Sequence, residues 1–223
     1  MRPPTTRPDE HATRARLLGA ALALFAQKGF AATSTRELAA AADCNISMIA
    51  HYFGSKEGLL RELIRAQMAG PGDELRAMQT SDESFEQKVE RFVDYMVTKL
   101  DRDHDFMRVV HREVVNGANP EMLDEFGHII GASLSLFTAL VEEARQAGQV
   151  RAEIDPRVAC LQLMGMIQFY FVNLPLTSRL IGPPTPEMLA RLRRQAVETF
   201  LGGVLSAPST NTNRRRDSSK ASD

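Results

Sequence analysis

Apolar residues recur every three or four positions along most of the chain, which is the spacing of one face of an α-helix. The clearest stripes lie in residues 17–25, 59–64, 92–100 and 134–141. No segment alternates between apolar and polar residues with the period of a strand, and no Asn-Gly turn joins two β-like runs. The pattern therefore predicts an all-α fold.

Turn-forming residues divide the second part of this pattern into separate helices. Proline at the first helical position predicts helix starts at Asn119-Pro120 and Asp155-Pro156, and Pro183-Pro184 precede the last helix. The sequence Gly70-Pro71-Gly72 is expected to interrupt or kink the long helix that begins at Ser55.

The first sixty residues contain short helices with clear starting signals. A first helix runs over roughly residues 9–28, and Ser34 and Glu37 have the spacing of a capping box that starts a second. Asn45 and Ser55, only ten residues apart in NISMIAHYFGSKEGLL, cap two further helices. The helix between them has only about two turns. Its shortness has to be explained by the way it combines with the neighbouring helices.

The short helix has an apolar anchor and a polar outer face. Ile49 and Phe53 lie four residues apart and are expected to face inward, which leaves the remaining side chains at the rim or outside. Two short helices joined by a tight turn form a helix-turn-helix, whose second helix fits the major groove of DNA. The pattern therefore favours a DNA-binding function.

Three motifs extend this interpretation to a family. They are FAQKGF at residues 25–30, TSTRELA at residues 33–39 and YFGSKEGLL at residues 52–60. In this order and spacing they resemble the DNA-binding domain of the TetR/AcrR family of bacterial transcriptional repressors, over roughly residues 12–62. The rest of the chain resembles the family only in its helical layout.

The resemblance implies an N-terminal three-helix DNA-binding domain with a helix-turn-helix, followed by a larger helical domain for ligand binding and dimerisation. We expect an arm at residues 1–8, the DNA-binding domain at 9–62, the second domain at 63–207 and a disordered tail at 208–223. It further implies a ligand-responsive repressor that acts as a homodimer on a palindromic double-stranded DNA operator and responds to a small apolar or amphipathic effector.

Position in the family motif assigns the expected DNA contacts, which are Ser34, Thr35, Arg36, Asn45, Ile46, Ser47, Met48, His51, Tyr52 and Lys56. The hydroxyl groups of Ser34 and Thr35 are expected to contact phosphates, and so are His51, Tyr52 and Lys56. Arg36 is expected to contact a phosphate or a base. The chain departs from the family at Met48 and Ala50, where hydroxyl-bearing residues are usual. Ile46 and Met48 can instead contact thymine methyl groups.

The second domain carries apolar side chains on several helices, which suit either a packed core or an apolar ligand pocket. The candidate ligand contacts are Phe106, Val110, His111, Phe126, Ile129, Gln168, Tyr170 and Asn173. Residues 157–174 and 187–205 are expected to form the dimer as a four-helix interface. Its contacts are expected to include Ala159, Leu163, Gly165, Met166, Leu189, Leu192, Ala196 and Phe200.

Charge is nearly balanced over the 223 residues, with 27 basic and 28 acidic side chains. Residues 1–60 carry seven basic and five acidic residues, a net charge of +2, whereas residues 61–207 carry sixteen and twenty-one, a net of −5. A mildly basic head therefore precedes an acidic body. No apolar run approaches the roughly 18 residues of a membrane span, and no signal peptide is present, so we expect a cytoplasmic protein.

Chemistry other than binding has little support in the sequence. His104, His111 and His128 lack partners at metal-ligand spacing, and Cys44 and Cys160 form no CxxC pair. No nucleophile-base arrangement or phosphate-binding loop is present, so we expect no enzyme, metal or cofactor. The alternatives are a helical enzyme and a small-molecule-binding module without DNA function.

Overall fold

The computed structural model describes residues 8–116 and 120–206, most of which are helical. In chain order the helices are α1 (Pro8–Lys28), α2 (Thr35–Ala41), α3 (Ser47–Phe53), α4 (Lys56–Gln79), α5 (Phe85–Arg102), α6 (His104–Val110), a π-helical segment (His111–Val115), α7 (Pro120–Gln146), α8 (Pro156–Val172), α9 (Leu174–Ile181) and α10 (Pro186–Val204). Within these ranges the only β-type pairing is an isolated bridge between Val150 and Leu205. The all-α prediction is confirmed.

The N-terminal helices pack on the first half of α4 around one apolar core. Leu17, Phe25, Leu38 and Leu59 are fully buried there, and Ile49 of α3 is 2% exposed. The same core continues into α6 and the π-helical segment through Phe106, Val109, Val110 and Val114. Because α4 crosses the predicted boundary between residues 62 and 63 without a break, the two predicted domains share this helix.

A second core lies among α5, α7, α8 and α10 and includes the end of α4. The Phe137 ring lies at its centre, 4.4 Å from the Phe92 ring and 6.3 Å from the Phe200 ring, measured between centroids. The amphipathic pattern that predicted α5 buries its apolar face here, so the helical body is held by ordinary apolar packing.

Of the two alternatives predicted for Gly70-Pro71-Gly72, an interruption is wrong, because α4 continues through Pro71, whereas a kink stays a prediction. Proline has no N–H to donate to the carbonyl of Gln67, four residues earlier. Lys99 of α5 supplies the missing donor, since its Nζ donates to the Gln67 carbonyl at 2.9 Å. A tertiary contact therefore compensates for the local loss of a helical hydrogen bond.

The expected dimer contacts also need correction. Ala159, Leu163, Leu189, Ala196 and Phe200 are at most 7% exposed and lie within the core of their own subunit, whereas Leu192 is half-buried against it. The large apolar side chains that α8 and α9 expose are Val158, Leu161, Phe169, Leu176, Leu180 and Ile181. Of the predicted α8 contacts, only Gly165 is exposed and Met166 is half-buried, so the large apolar side chains that α8 offers to a partner are not the predicted ones.

Two predicted segments fall largely or wholly outside the described residues, namely the N-terminal arm and the tail at 208–223. Among the described residues no single helix is long and apolar enough to cross a membrane. Helices α8 and α9 meet that criterion of length and composition only as a pair, with an 89° bend between them.

Candidate nucleic-acid interface and ligand cavity

A capping box fixes the start of α2. The Ser34 Oγ accepts a hydrogen bond from the Glu37 backbone N–H at 3.2 Å, and the Glu37 carboxylate accepts one from the Ser34 N–H at 2.9 Å. Glu37 also pairs with Lys28 at the end of α1. Hydrogen bonds from Lys28, and then from Ser34, lower the pKa of Glu37 to about 2. The predicted start at Ser34 is confirmed, and Arg36 is exposed in the first turn of the helix.

The turn before α3 is closed by Asp43 and Asn45. Asp43 adopts a left-handed backbone conformation with φ of 48°, which Asp tolerates better than most residues. The Asn45 Oδ1 accepts a hydrogen bond from the Ser47 N–H at 2.9 Å, so Asn45 bonds to the first residue of α3, but the N-cap position is Ile46 and not Asn45 as predicted. This geometry sets the direction of α3 relative to α2.

The exposed face of α3 contains most of the predicted DNA contacts of this helix. Asn45, Ile46, Ser47 and His51 are exposed, and Ile46 is 44% exposed despite its apolar side chain. Met48 and Tyr52 are half-buried, as is Phe53, which was expected to face fully inward. The His51 and Tyr52 rings touch edge to face with centroids 4.9 Å apart.

Lys56 has partners that the family motif did not indicate. Its Nζ donates to the carbonyl oxygens of Phe30 and Thr33, both at 2.9 Å, and lies 4.2 Å from the centre of the Phe30 ring. Thr33 is buried, and its Oγ1 donates to the Gly29 carbonyl at 2.6 Å. Lys56 therefore holds the α1–α2 loop against the start of α4, whatever it contributes at DNA.

A cavity of about 340 Å³ lies in the body between α4, α5, α6, α7 and α8. Most of its wall is apolar. Five of the predicted ligand contacts line it, namely Phe106, Val110, His111, Phe126 and Gln168. The size lies within the usual range of small-molecule sites, so the structure has room for a ligand as well as a core.

The other three predicted ligand contacts do not line this cavity. Tyr170 is buried, and its hydroxyl donates to the Gly182 carbonyl at 2.9 Å. Asn173 ends α8 and donates from Nδ2 to the Phe169 carbonyl at 3.0 Å. On α7 the cavity is lined by Ile130 instead of Ile129, because a step of one residue turns a helical side chain by about 100°.

Sequence reasoning missed two charged residues in the cavity wall, Lys99 and Asp103. Their side chains are only 11% and 12% exposed, and Lys99 Nζ lies 2.7 Å from Asp103 Oδ2. Lys99 and Asp103 are four residues apart, beside the apolar stripe of Phe92, Met96 and Leu100. Two opposite charges spaced four residues apart next to such a stripe could have indicated that Lys99 and Asp103 form a pair at the cavity wall.

The wall of the cavity is also in contact with the N-terminal domain. Arg108 donates to the Ala26 carbonyl at 2.9 Å, and Arg112 bonds to the Phe25 carbonyl, both at the end of α1. Glu113 accepts a hydrogen bond from the Phe30 N–H at 3.0 Å. These three residues are interspersed along α6 and the π-helical segment with residues that line the cavity, so one element touches both sites.

Within the described residues, no group of three or more His, Cys, Asp or Glu side chains could hold a metal ion. Cys160 lines the cavity, and burial raises the pKa of its thiol to about 12. Such a thiol is protonated at neutral pH and a poor nucleophile.

Comparison with known proteins matches both parts of the chain. Residues 17–63 match the family model described as bacterial regulatory proteins, tetR family, and residues 86–200 match that of the tetracyclin repressor-like C-terminal domain. The probable HTH-type transcriptional regulator YttP of Bacillus subtilis is 33% identical over 104 residues, which cover 46% of this chain and 50% of YttP. The HTH-type transcriptional repressor KstR2 of Rhodococcus jostii is 25% identical over 146 residues, 66% of this chain and 72% of that protein.

Solved structures share the fold over nearly the whole chain. The fatty acid degradation regulator FadR from Bacillus halodurans superposes with a TM-score of 0.74 at 22% identity, covering 90% of this chain and 98% of that one. FadR from Bacillus subtilis in complex with stearoyl-CoA gives a TM-score of 0.71 at 18% identity, covering 85% of this chain and 98% of that one. At these identities the likeness concerns the fold.

Proposed function

Because the chain belongs to the TetR family of bacterial regulatory proteins, we propose that it is a cytoplasmic transcriptional repressor that binds a palindromic operator as a homodimer and releases it when a small molecule binds. The observation that carries this proposal is α3, a two-turn helix anchored by buried Ile49 with Ile46, Ser47 and His51 exposed. KstR2 of Rhodococcus jostii, a relative, is named a repressor.

The chemistry of the α3 surface suits the major groove. Ser47 and His51 offer hydrogen bonds to bases or phosphates, and the exposed Ile46 offers an apolar contact for thymine methyl groups. Arg36 of α2 is exposed and forms no ion pair with any residue that the structure describes, so its charge is free for a phosphate or a base. These features support DNA contact by α2 and α3 together.

The cavity supports an effector that is mainly apolar. A molecule in it would press on Phe106, Val110 and His111, which belong to the element that bonds to the end of α1 through Arg108 and Arg112. A ligand that prefers a displaced α6 shifts the population toward subunits whose α1–α3 unit is re-oriented. In a dimer this changes the spacing of the two α3 helices, which lowers operator affinity.

The dimer surface that we propose is the exposed apolar face of α8, continued by α9. Phe169 is 63% exposed and Leu161 is 59% exposed on α8, and Leu180 of α9 is 70% exposed. Large exposed apolar side chains mark interaction surfaces. A two-fold axis would pack this face of one subunit against the same face of the second subunit.

Selection from a randomised duplex library tests this function without assuming an operator sequence. We expect the purified full chain to enrich an inverted repeat, with half-sites one helical turn apart or a multiple of it. A Ser47→Asp variant, which adds a negative charge at the start of α3, serves as the matched control and should enrich nothing. Failure of the wild type to enrich any sequence, or enrichment of a site without two-fold symmetry, would contradict the proposal.

A further inference from the structure

The cavity wall contains the charged side chains of Lys99 and Asp103 in a mostly apolar surrounding, and the neighbouring Arg102 bonds to Asp103 from outside the wall. Asp103 Oδ1 accepts a hydrogen bond from Arg102 Nε at 2.9 Å, and Oδ2 accepts bonds from Lys99 Nζ at 2.7 Å and from Arg102 Nη2 at 3.2 Å. Lys99 and Asp103 line the cavity, whereas the Arg102 side chain is 71% exposed at its edge. Apart from this pair and His111, the described wall residues are uncharged.

Lys99 and Asp103 in the wall balance each other, and the exposed Arg102 brings the three-residue cluster to a net charge of +1. Burial alone would raise the pKa of Asp103, but hydrogen bonds from Arg102 and Lys99 outweigh it and keep the pKa below its ordinary value. Asp103 is therefore ionised at neutral pH and balances Lys99, and the extra positive charge lies on Arg102, where solvent screens it.

The hydrogen-bonding capacity of the cluster is also unequal. Asp103 already accepts three hydrogen bonds, so little of its capacity remains for a cationic ligand. Lys99 has three N–H donors, of which the Asp103 carboxylate and the Gln67 carbonyl take two. The free donor on Lys99, beside a carboxylate whose acceptors are largely used, favours an acceptor that carries a negative charge.

On the basis of the effector function proposed above, we propose that the ligand is an apolar molecule with a carboxylate at one end, and that Lys99 binds this carboxylate. An apolar wall holds the hydrocarbon part, and the carboxylate gains a charge-assisted hydrogen bond in a place shielded from water. An alcohol of the same length lacks the charge, and an ammonium ion of the same length finds the Asp103 carboxylate already occupied by three hydrogen bonds.

Isothermal titration calorimetry of the full chain with decanoate, decanol and decyltrimethylammonium tests the headgroup directly, because the chain length is constant. We expect decanoate to bind at least about tenfold more tightly than decanol, as a charge-assisted bond implies. We expect decyltrimethylammonium to bind most weakly.

Two variants then assign the preference to the cluster. Lys99→Met should remove the preference for decanoate over decanol, and Asp103→Asn, which raises the net charge of the cluster to +2, should increase it. Lys99 also supports the helix at Pro71, so its loss can weaken the cavity as a whole. A purely structural role would lower the affinity for decanoate and decanol by the same factor and leave their ratio unchanged, which would overturn the assignment. Asp103→Asn keeps the Lys99 side chain and so tests the same point if the first variant folds poorly.

The outcomes separate this inference from the proposed function. If decanol or decyltrimethylammonium binds the wild type as tightly as decanoate, the carboxylate inference is wrong and the cavity remains an effector site. If decanoyl-CoA binds more tightly than decanoate and Lys99→Met leaves that affinity unchanged, the acyl thioester is the recognised form and the inference is again wrong. If none of these probes binds, both the inference and the apolar effector site are contradicted.

Discussion

Replacing Lys56 by methionine tests how the N-terminal domain is held together. Methionine keeps most of the apolar stem of lysine and removes its charge and its N–H donors. In the wild type Lys56 Nζ donates to the carbonyls of Phe30 and Thr33, and it lies over the Phe30 ring. The variant therefore loses the contacts that tie the α1–α2 loop to α4.

The size of the effect follows from these contacts. A hydrogen bond to a charged group contributes about 1.5–3 kcal/mol, and water can replace part of each bond because Lys56 is only partly buried. Adding about 0.5–1 kcal/mol for the cation–π contact, we expect the free energy of unfolding to fall by about 2–3 kcal/mol. Urea unfolding followed by far-ultraviolet circular dichroism measures this change.

Lys28→Met provides the matched control, because Lys28 forms an ion pair with Glu37 on the exposed surface of the same domain. Ion pairs of this kind contribute little to stability. Equal urea midpoints for the two variants would refute the view that Lys56 locks the loop, and would return the residue to a role at DNA alone.

Four further predictions concern the other parts of the molecule. Arg36→Ala should weaken operator binding and lower the salt slope of that binding by about 1, and an unchanged slope in anisotropy titrations would exclude a phosphate contact. Glu37 has a pKa of about 2 in the folded protein against an ordinary value of 4.5, so the small stabilisation that this exposed group contributes is complete above pH 4.5 and is lost as the pH falls toward 2. Urea midpoints should therefore fall less steeply with decreasing pH in Glu37→Gln than in the wild type, and parallel profiles would contradict this. Phe169→Glu should give monomers in sedimentation velocity at concentrations where the wild type is dimeric, and a stable variant dimer would exclude the α8 face. Phe126→Ala should change the affinity for cavity ligands and leave operator affinity nearly unaltered, whereas a loss of both would indicate general unfolding.

Signals between near neighbours in the sequence predicted the structure well. The Ser34–Glu37 capping box and the cap by Ser55 are present, and Asp155 caps α8 with Pro156 at its first position. Each depends on atoms within three residues of one another, so the local sequence contains what decides them. The helix-turn-helix could be placed for the same reason.

Contacts between distant residues could not be predicted in this way. The continuity of α4 through Pro71 depends on Lys99, which is 32 residues from the carbonyl that it stabilises. The partners of Lys56 lie 23 and 26 residues away, in a loop whose path the sequence does not specify. A family motif indicates that a residue matters at a position, but it does not separate a contact with DNA from a contact within the domain.

The orientation of wide apolar faces was the other source of error. Helix α8 is apolar on several sides, so periodicity alone could not decide which side faces the subunit core and which is exposed. The prediction named Ile129 where Ile130 lines the cavity, and this error has the same cause. Five of the eight predicted ligand contacts do line the cavity, and they include the polar side chains of His111 and Gln168.

Fluorescence anisotropy with labelled duplex DNA from the region upstream of the protein's own gene tests the proposed repressor function most directly. We expect saturable binding by two subunits per duplex, at least about a thousandfold tighter than binding to a scrambled duplex of the same length at the same salt concentration. Equal affinity for the two duplexes, or no binding to either, would contradict a role for α2 and α3 in reading DNA.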